Sequence, residues 1–302
     1  MTDINAPHFH DAEAARKYLE AIRWPEGPVC PHCGAVGGAY ELKGKAGKYR
    51  CAEKECRKDF SVTVGTVFER SHISLEKWLF ASCLLMASKK GISAHQMHRM
   101  LGVTYKTAWF MMHRLREALT ETNPGPLGGS GKTVEADETY IGKKAEPTSS
   151  GKRGPANKRA VVSLVERGGR TRTFHVDRAT KETVREILIR NVAKETDLVT
   201  DESRLYTQVG KEFNSHKRSH HSKGTYVKKD GTHSNTVENY FSIFKRGMKG
   251  IYQHCGERHL QRYLTEFDFR YSNRSATDAE RNVLALRGIE GKRLTYRRTC
   301  VA

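Results

Sequence analysis

Apolar residues along this chain switch between two spacings, and the switches mark its parts. From about His10 to Arg23 they recur at helical spacing, predicting a short amphipathic helix stopped by Trp24-Pro25. Arg57 to Phe68 alternates apolar and polar side chains and predicts a strand. Ser74 opens a helix carrying Leu75, Leu79 and Met86 as far as Lys90-Gly91. Ser93 to Thr104, which contains Gly102, leads into a second helix from Tyr105 to about Thr120, with Ala108, Met112, Leu115 and Leu119 as its core stripe. Helix, short turn with glycine, helix is the layout of a helix-turn-helix. Its DNA-reading end would carry Tyr105, Lys106 and Thr107.

From Thr133 the spacing becomes that of strands. Thr133 to Gly142 predicts a first strand, and Ala160–Val165 and Arg172–Val176 a hairpin across Gly168-Gly169. Thr180 to Val192 predicts an amphipathic helix with a capping Thr, and Asp197 to Asp201 a short fourth strand. Lys143 to Arg159 is basic and rich in Gly, Ser and Pro, so it reads as a mobile loop. A polar stretch with His216, Lys217, Arg218, His220, His221, Lys223, Lys228 and Lys229 reads as a solvated loop facing DNA. The most regular helical pattern comes last, from His233 to Gly250. Val237, Phe241, Phe244 and Met248 recur at +4, +7 and +11, and Glu238, Ser242, Lys245 and Lys249 keep the same spacing on a neighbouring face. Asn235 with Glu238 three residues on is a capping-box pattern. Strand, two strands, helix, strand, loop, helix is the order of an α/β layer with a mixed sheet.

Composition narrows the partner. Of 302 residues, 53 are Lys or Arg and 34 Asp or Glu, a formal net charge of +19 with a pI near 9.7. Such an excess favours a polyanion. No apolar run is long enough to span a membrane, and Met1 to His10 lacks a charged-then-apolar leader. We therefore expect a cytoplasmic, nucleoid-associated protein whose partner is double-stranded DNA, with no membrane association. Four of the seven cysteines cluster as Cys30-x2-Cys33 and Cys51-x4-Cys56. Two close pairs a hairpin's length apart can close a tetrahedral Zn²⁺ site, and so short a ribbon could hardly fold without its metal. The linker Asn123-Pro-Gly-Pro-Leu-Gly-Gly-Ser-Gly-Lys132-Thr133 imitates a phosphate loop, but Pro126 stands where that motif needs glycine. It also follows a helix and precedes a strand, so no nucleotide cofactor is expected.

Acids fall at the end of the first strand (Asp137-Glu138), past the fourth (Asp201-Glu202) and at the start of the last helix (Glu238). One from each can converge, and the repulsion among them would call for Mg²⁺ or Mn²⁺. Spacing does not choose between Asp137 and Glu138, or between Asp201 and Glu202.

The stretches Val134-Glu-Ala-Asp-Glu-Thr-Tyr-Ile-Gly142, Val199-Thr-Asp201 and His233-Ser-Asn-Thr-Val-Glu238, with Lys245 seven residues later, resemble a DDE transposase. The ribbon ending in Phe60-Ser-Val-Thr-Val-Gly-Thr-Val-Phe68 resembles the zinc-ribbon group of bacterial insertion-sequence transposases (ISXO-type), as does Tyr263 to Arg274 at the far end. The resemblance implies an RNase H-like mixed sheet flanked by helices, preceded by a zinc ribbon and a helix-turn-helix domain. It selects Asp137, Asp201 and Glu238 as magnesium ligands; 36 residues separate the last two. It further implies two-metal cleavage and transfer of DNA strands, with Lys245 on a nearby phosphate and Arg246 and Lys249 as further DNA contacts. A homodimer or larger assembly on DNA is expected, because two element ends must meet.

The expected domains are an N-terminal helix (1–26), the ribbon (27–68), the helix-turn-helix (69–122), a linker (123–132), the catalytic domain (133–286) and a basic tail (287–302). Two other readings compete. A non-catalytic zinc-ribbon/helix-turn-helix regulator would bind DNA without cutting it, and a general metal-dependent nuclease would cut without joining.

Overall fold

The computed structural model describes residues 3–144, 157–219 and 234–295. They form two compact units: Met1–Thr120 together with Ser275–Ala302, and Glu121–Arg274.

In the first unit α1 (Ala12–Arg23) starts where the Asp11 carboxylate accepts from Ala14 N at 2.7 Å. A three-stranded antiparallel sheet follows, β1 (Ala39–Glu41), β2 (Tyr49–Cys51) and β3 (Asp59–Phe60). Tyr49 and Phe60 stack on one another and meet the edge of Trp24, which gives the small ribbon its apolar floor. The strand expected over Arg57–Phe68 is only two residues long; Val62, Val67 and Phe68 are buried in successive turns instead. Alternation measured burial there, not pairing.

Next come α2 (Leu75–Ala87), α3 (Ala94–Leu101) and α4 (Tyr105–Ala118). The segment before Tyr105 thus holds a helix of its own. Ser93 caps it, and Gly102 ends it in the left-handed conformation at φ +61°. Thr104 then caps α4 through Thr107 N. Ala108, Met112, Leu115 and Leu119 are all buried, as the stripe requires. The last helix, α8 (Asp278–Arg287), packs on α2, where Ser82 donates to Asn282 at 2.6 Å. Beyond it Val67 N donates to Ile289 O and Gly291 N to Gly65 O. The chain's end therefore returns to the first unit, whereas the sequence boundary put everything to residue 286 in the catalytic domain. Asn282 is buried at 3% exposure in its contact with Ser82.

The second unit is a five-stranded mixed sheet ordered β6-β5-β4-β7-β8. β4 (Thr133–Ile141), β5 (Arg159–Glu166) and β6 (Thr171–Val176) are antiparallel; β7 (Asp197–Thr200) and β8 (Ser215–Arg218) run parallel to β4. The parallel step from β6 to β7 is spanned by α5 (Lys181–Asn191), capped by Thr180. Side chains alternate across the sheet. Val134, Ala136, Val162 and Leu164 join Val184 and Leu188 of α5 in one core, while Val161 and Val165 join α6 (Asn235–Gly247) and α7 (Leu260–Ser272) in the other. Val237, Phe241, Phe244 and Met248 are buried in that second core. A single π-turn, Met248–Tyr252, follows α6, and the Tyr252 hydroxyl on Glu266 fastens it to α7.

The free edge of β6 is closed by α7. Thr171 N donates to Ser272 Oγ, Thr173 N to Asp268 Oδ2 and His175 N to Gln261 Oε1, at 2.8–2.9 Å. In the linker the Glu166 carboxylate takes Gly128 N and Lys132 Nζ, both at 3.0 Å. A side chain at Gly128 would strike Thr196. β8 lies where the sequence reading expected a loop at His216–Arg218; His220 to Lys229 and His233 lie outside the described residues, as does most of the Lys143–Arg159 loop.

Candidate metal centres

The ribbon brings Cys30, Cys33, Cys51 and Cys56 together, their sulfurs all within 4.8 Å of one another. Cys30 Sγ lies 3.8 Å from Cys56 Sγ, and Cys33 Sγ 3.6 Å from Cys51 Sγ. Four sulfurs at about 2.3 Å from a central zinc would stand about 3.8 Å apart, so the cage fits that ion. Gly34 N donates to Cys30 O at 2.9 Å with Gly34 at φ +79°, which closes the first knuckle. The wider second pair is accommodated by a turn in which Cys56 N and Arg57 N both donate to Glu53 O. Burial pushes the Cys30 thiol up, but the N–H groups of His32 and Cys33 and the neighbouring thiols outweigh it and bring it down to about 7. Burial and the surrounding sulfurs push Cys51 up to about 12. Four thiols in one cage cannot share negative charge without a cation, and the four-cysteine cluster supports a structural zinc.

The second centre is built from the sheet. Parallel pairing of β4 and β7 runs to Ala136↔Thr200, so the next residue on each strand is Asp137 and Asp201. Asp137 follows Glu135 on the face turned to α6, because Val134 and Ala136 face α5. Carboxylate oxygens of Asp137, Glu138 and Asp201 come within 4.8 Å of one another. Glu138 is held by the Tyr206 hydroxyl at 2.7 Å, and Asp201 accepts from Ser203 N at 3.0 Å. Burial, then the charges of Asp201 and Glu138, push Asp137 up to about 8, with a smaller contribution from Glu238. Burial raises Glu138 as well. Hard oxygen donors that repel one another fit a divalent cation such as Mg²⁺.

Of the alternatives that spacing left open, Asp201 lies in this cluster and Glu202 is exposed outside it, while Asp137 and Glu138 both belong to it. Glu238 sits in the first turn of α6, outside that group of three, and accepts from Ser234 Oγ at 3.0 Å. Two turns on, the Lys245 ammonium lies 5.7 Å over the Phe241 ring. Arg246 donates to Ser242 Oγ at 2.7 Å, and Lys249 is exposed in the π-turn. On α4, Tyr105 is exposed and stacks on His95 at 4.3 Å, and Lys106 is exposed. The Thr107 hydroxyl meets that of Thr104 at 2.9 Å, so it serves the cap.

The helix start differs from the sequence reading. Asn235 is the first helical residue and is exposed; Ser234 occupies the cap position without capping α6 by its side chain. The free N–H groups of Thr236 and Val237 are taken by Glu135, each at 2.9 Å. The available signal was strand alternation, which puts two acids, Glu135 and Asp137, on one buried face.

The family described as ISXO2-like transposase domain matches residues 126–272, and that described as transposase zinc-ribbon domain matches residues 10–59. An uncharacterized protein in transposable element ISH50 of Halobacterium salinarum is 28% identical over 282 residues, covering 87% of this chain and 91% of that protein. Among solved structures, the Drosophila P element transposase strand transfer complex aligns over 70% of this chain and 60% of that one, at 11% identity and a TM-score of 0.30, too distant to carry an argument. Ribbon and sheet thus each match a part of one kind of protein, and the chain belongs to the zinc-ribbon, ISXO2-like family of insertion-sequence transposases.

Proposed function

We propose that this chain binds the ends of its insertion sequence and catalyses metal-dependent cleavage and transfer of DNA strands. The observation that carries the reading is the convergence of Asp137 and Glu138, midway along β4, with Asp201, just past the end of the adjacent parallel β7, in a chain of this family. Three antiparallel strands followed by two parallel ones, with helices on both faces, support an RNase H-like layer. The α3–Gly102–α4 hairpin, with Tyr105 and Lys106 exposed at the start of α4, supports a helix-turn-helix that reads DNA.

In this reading Asp137 and Asp201 hold Mg²⁺ or Mn²⁺, with Glu238 completing the set from α6 and Glu138 as a further oxygen donor. A bound divalent ion supplies positive charge against the attacking and leaving oxygens of a phosphodiester. The chain's own residues do the rest. Asp137 on β4 and Asp201 just past β7 fix the distance between ligand oxygens, and Lys245 and Arg246 of α6, with Lys249 of the π-turn, offer cations to DNA phosphates. Each step hydrolyses or exchanges a phosphodiester, so no nucleotide cofactor is used. The protein works on double-stranded DNA in the cytoplasm, as a dimer or larger on paired ends.

Asp201→Asn should abolish Mg²⁺-dependent nicking at the element ends while leaving end binding in a gel-shift assay unchanged. Undiminished nicking would sink the assignment. A labelled end that is nicked but never joined to target DNA would instead mark a nuclease.

A further inference from the structure

Among the described residues the carboxylate of Glu135 stands outside the acid cluster, yet it is 0% exposed and reaches the start of α6. Oε2 accepts from Thr236 N and Val237 N, and Oε1 from the Thr236 hydroxyl, all at 2.9 Å; Arg167 Nε donates to Oε1 at 2.7 Å. A negative charge set on free N–H groups at a helix start is favourable on both hydrogen-bond and dipole grounds. It comes from residue 135 to residues 236 and 237, so it is a tertiary cap that joins strand to helix.

What it joins is specific. Glu135 precedes Asp137 by two residues on the same face of β4, and the helix turn it clamps carries Glu238. A second tether comes from the strand of the other acid. Ser219 N donates to Thr200 O at 2.9 Å, next to Asp201; the Ser219 hydroxyl meets that of Ser234 at 3.0 Å, and Ser234 Oγ reaches Glu238 at 3.0 Å. β4, which carries Asp137, and the end of β7, which leads into Asp201, therefore both also hold the start of α6.

We propose that Glu135 is a positioning residue: with Ser234 it fixes the first turn of α6, and so the distance of Glu238 from Asp137 and Asp201. This rests on the reading of Asp137, Asp201 and Glu238 as one metal-holding set. A residue that only stabilised the fold would lower stability without changing how tightly the folded chain holds metal. A positioning residue changes the metal site itself, and outer partners of this kind change metal affinity or activity by about 10–100-fold.

The test uses the full chain, with Mn²⁺ binding read by electron paramagnetic resonance in the absence of DNA, and nicking at a temperature where every variant is folded. Glu135→Gln should weaken Mn²⁺ binding and nicking about tenfold or more. In a Glu238→Gln background the same change should cost nothing further in either readout, while its drop in Tm is the same in both backgrounds. Ser234→Ala, which removes no buried charge, should give a smaller loss in the same direction and serves if E135Q does not fold. Binding and nicking within twofold of wild type in a folded E135Q chain, or in S234A where E135Q is unfolded, would overturn the proposal. So would losses that simply add to those of E238Q. Failure of the wild-type chain to nick would count against the proposed function, whereas the Mn²⁺ comparison between variants still decides the role of Glu135.

Discussion

The ribbon and the sheet each gather a set of metal-loving side chains, but they do it in opposite ways. The cysteines arrive as two local pairs, Cys30/Cys33 and Cys51/Cys56, each shaped by its own short turn and carried on a sheet of eight paired residues. So little apolar surface cannot hold four thiols together, and the ion has to supply the folding energy. Asp137 and Asp201 arrive from neighbouring strands of a sheet with a core on each face, which stands without help from an ion. There the fold buries Asp137 and sets other acids beside it, and burial first, then the charges of Asp201 and Glu138, push it up to about 8. The thiols depend on an ion to bring them together; the acids are brought together by the sheet itself.

Removing a ligand should therefore have opposite consequences at the two centres. The largest effect is expected at the ribbon. Cys51→Ser, or a strong zinc chelator, should forfeit on the order of 10 kcal/mol of metal-coupled folding. Limited proteolysis would then gain cuts within residues 27–68 while the cleavage pattern of Glu121–Arg274 stays as it is with zinc bound. A ribbon still resistant after complete zinc loss would break the comparison. At the sheet, Asp201→Asn removes a like charge from beside Asp137, so the metal-free chain should become more stable by about 1 kcal/mol. Denaturant melts in EDTA measure this, and a destabilised variant would mean that the cluster is held as the cysteines are.

A third outcome concerns Asp268, a buried acid away from both centres. Burial pushes it up to about 7 from 3.8 in spite of hydrogen bonds from the Tyr240 hydroxyl and from Thr173. Because the folded value lies above the unfolded one, its contribution is complete below about pH 4 and is lost as pH rises through about 7. Wild type minus Asp268→Asn, melted across that range, should show the difference shrinking with pH, from on the order of 2 kcal/mol at its acid end. A flat difference would show that Asp268 stays charged. The smallest effect is expected at Lys245. Alanine there should weaken DNA binding severalfold and lower its salt dependence by about one counterion, with stability unchanged.

How much of this was legible depended on how far each signal had to travel along the chain. The knuckles and the stripe Val237, Phe241, Phe244, Met248 are local, and spacing alone carries them. Asp137 and Asp201 could be named as candidates, but it took the register Ala136↔Thr200 to set them side by side and to separate Asp201 from Glu202. β8 is Ser-His-Lys-Arg, an edge strand with no apolar alternation, and periodicity has nothing to detect there. Asn235 looked like the cap because a local acceptor is the usual solution; the actual acceptor, Glu135, lies 101 residues away. The return of α8 to the first unit rests on Ser82 and Asn282, 200 residues apart, which no window of sequence can pair.

The strip of α7 along β6 limits how copies of this chain can meet. Gln261, Asp268 and Ser272 already take the three outward N–H groups that an added strand would need. Two copies of the chain cannot merge their sheets at that edge without first peeling a helix away. Crowded copies are equally barred from stacking there into fibrils, so on this side the sheet carries a built-in refusal to grow.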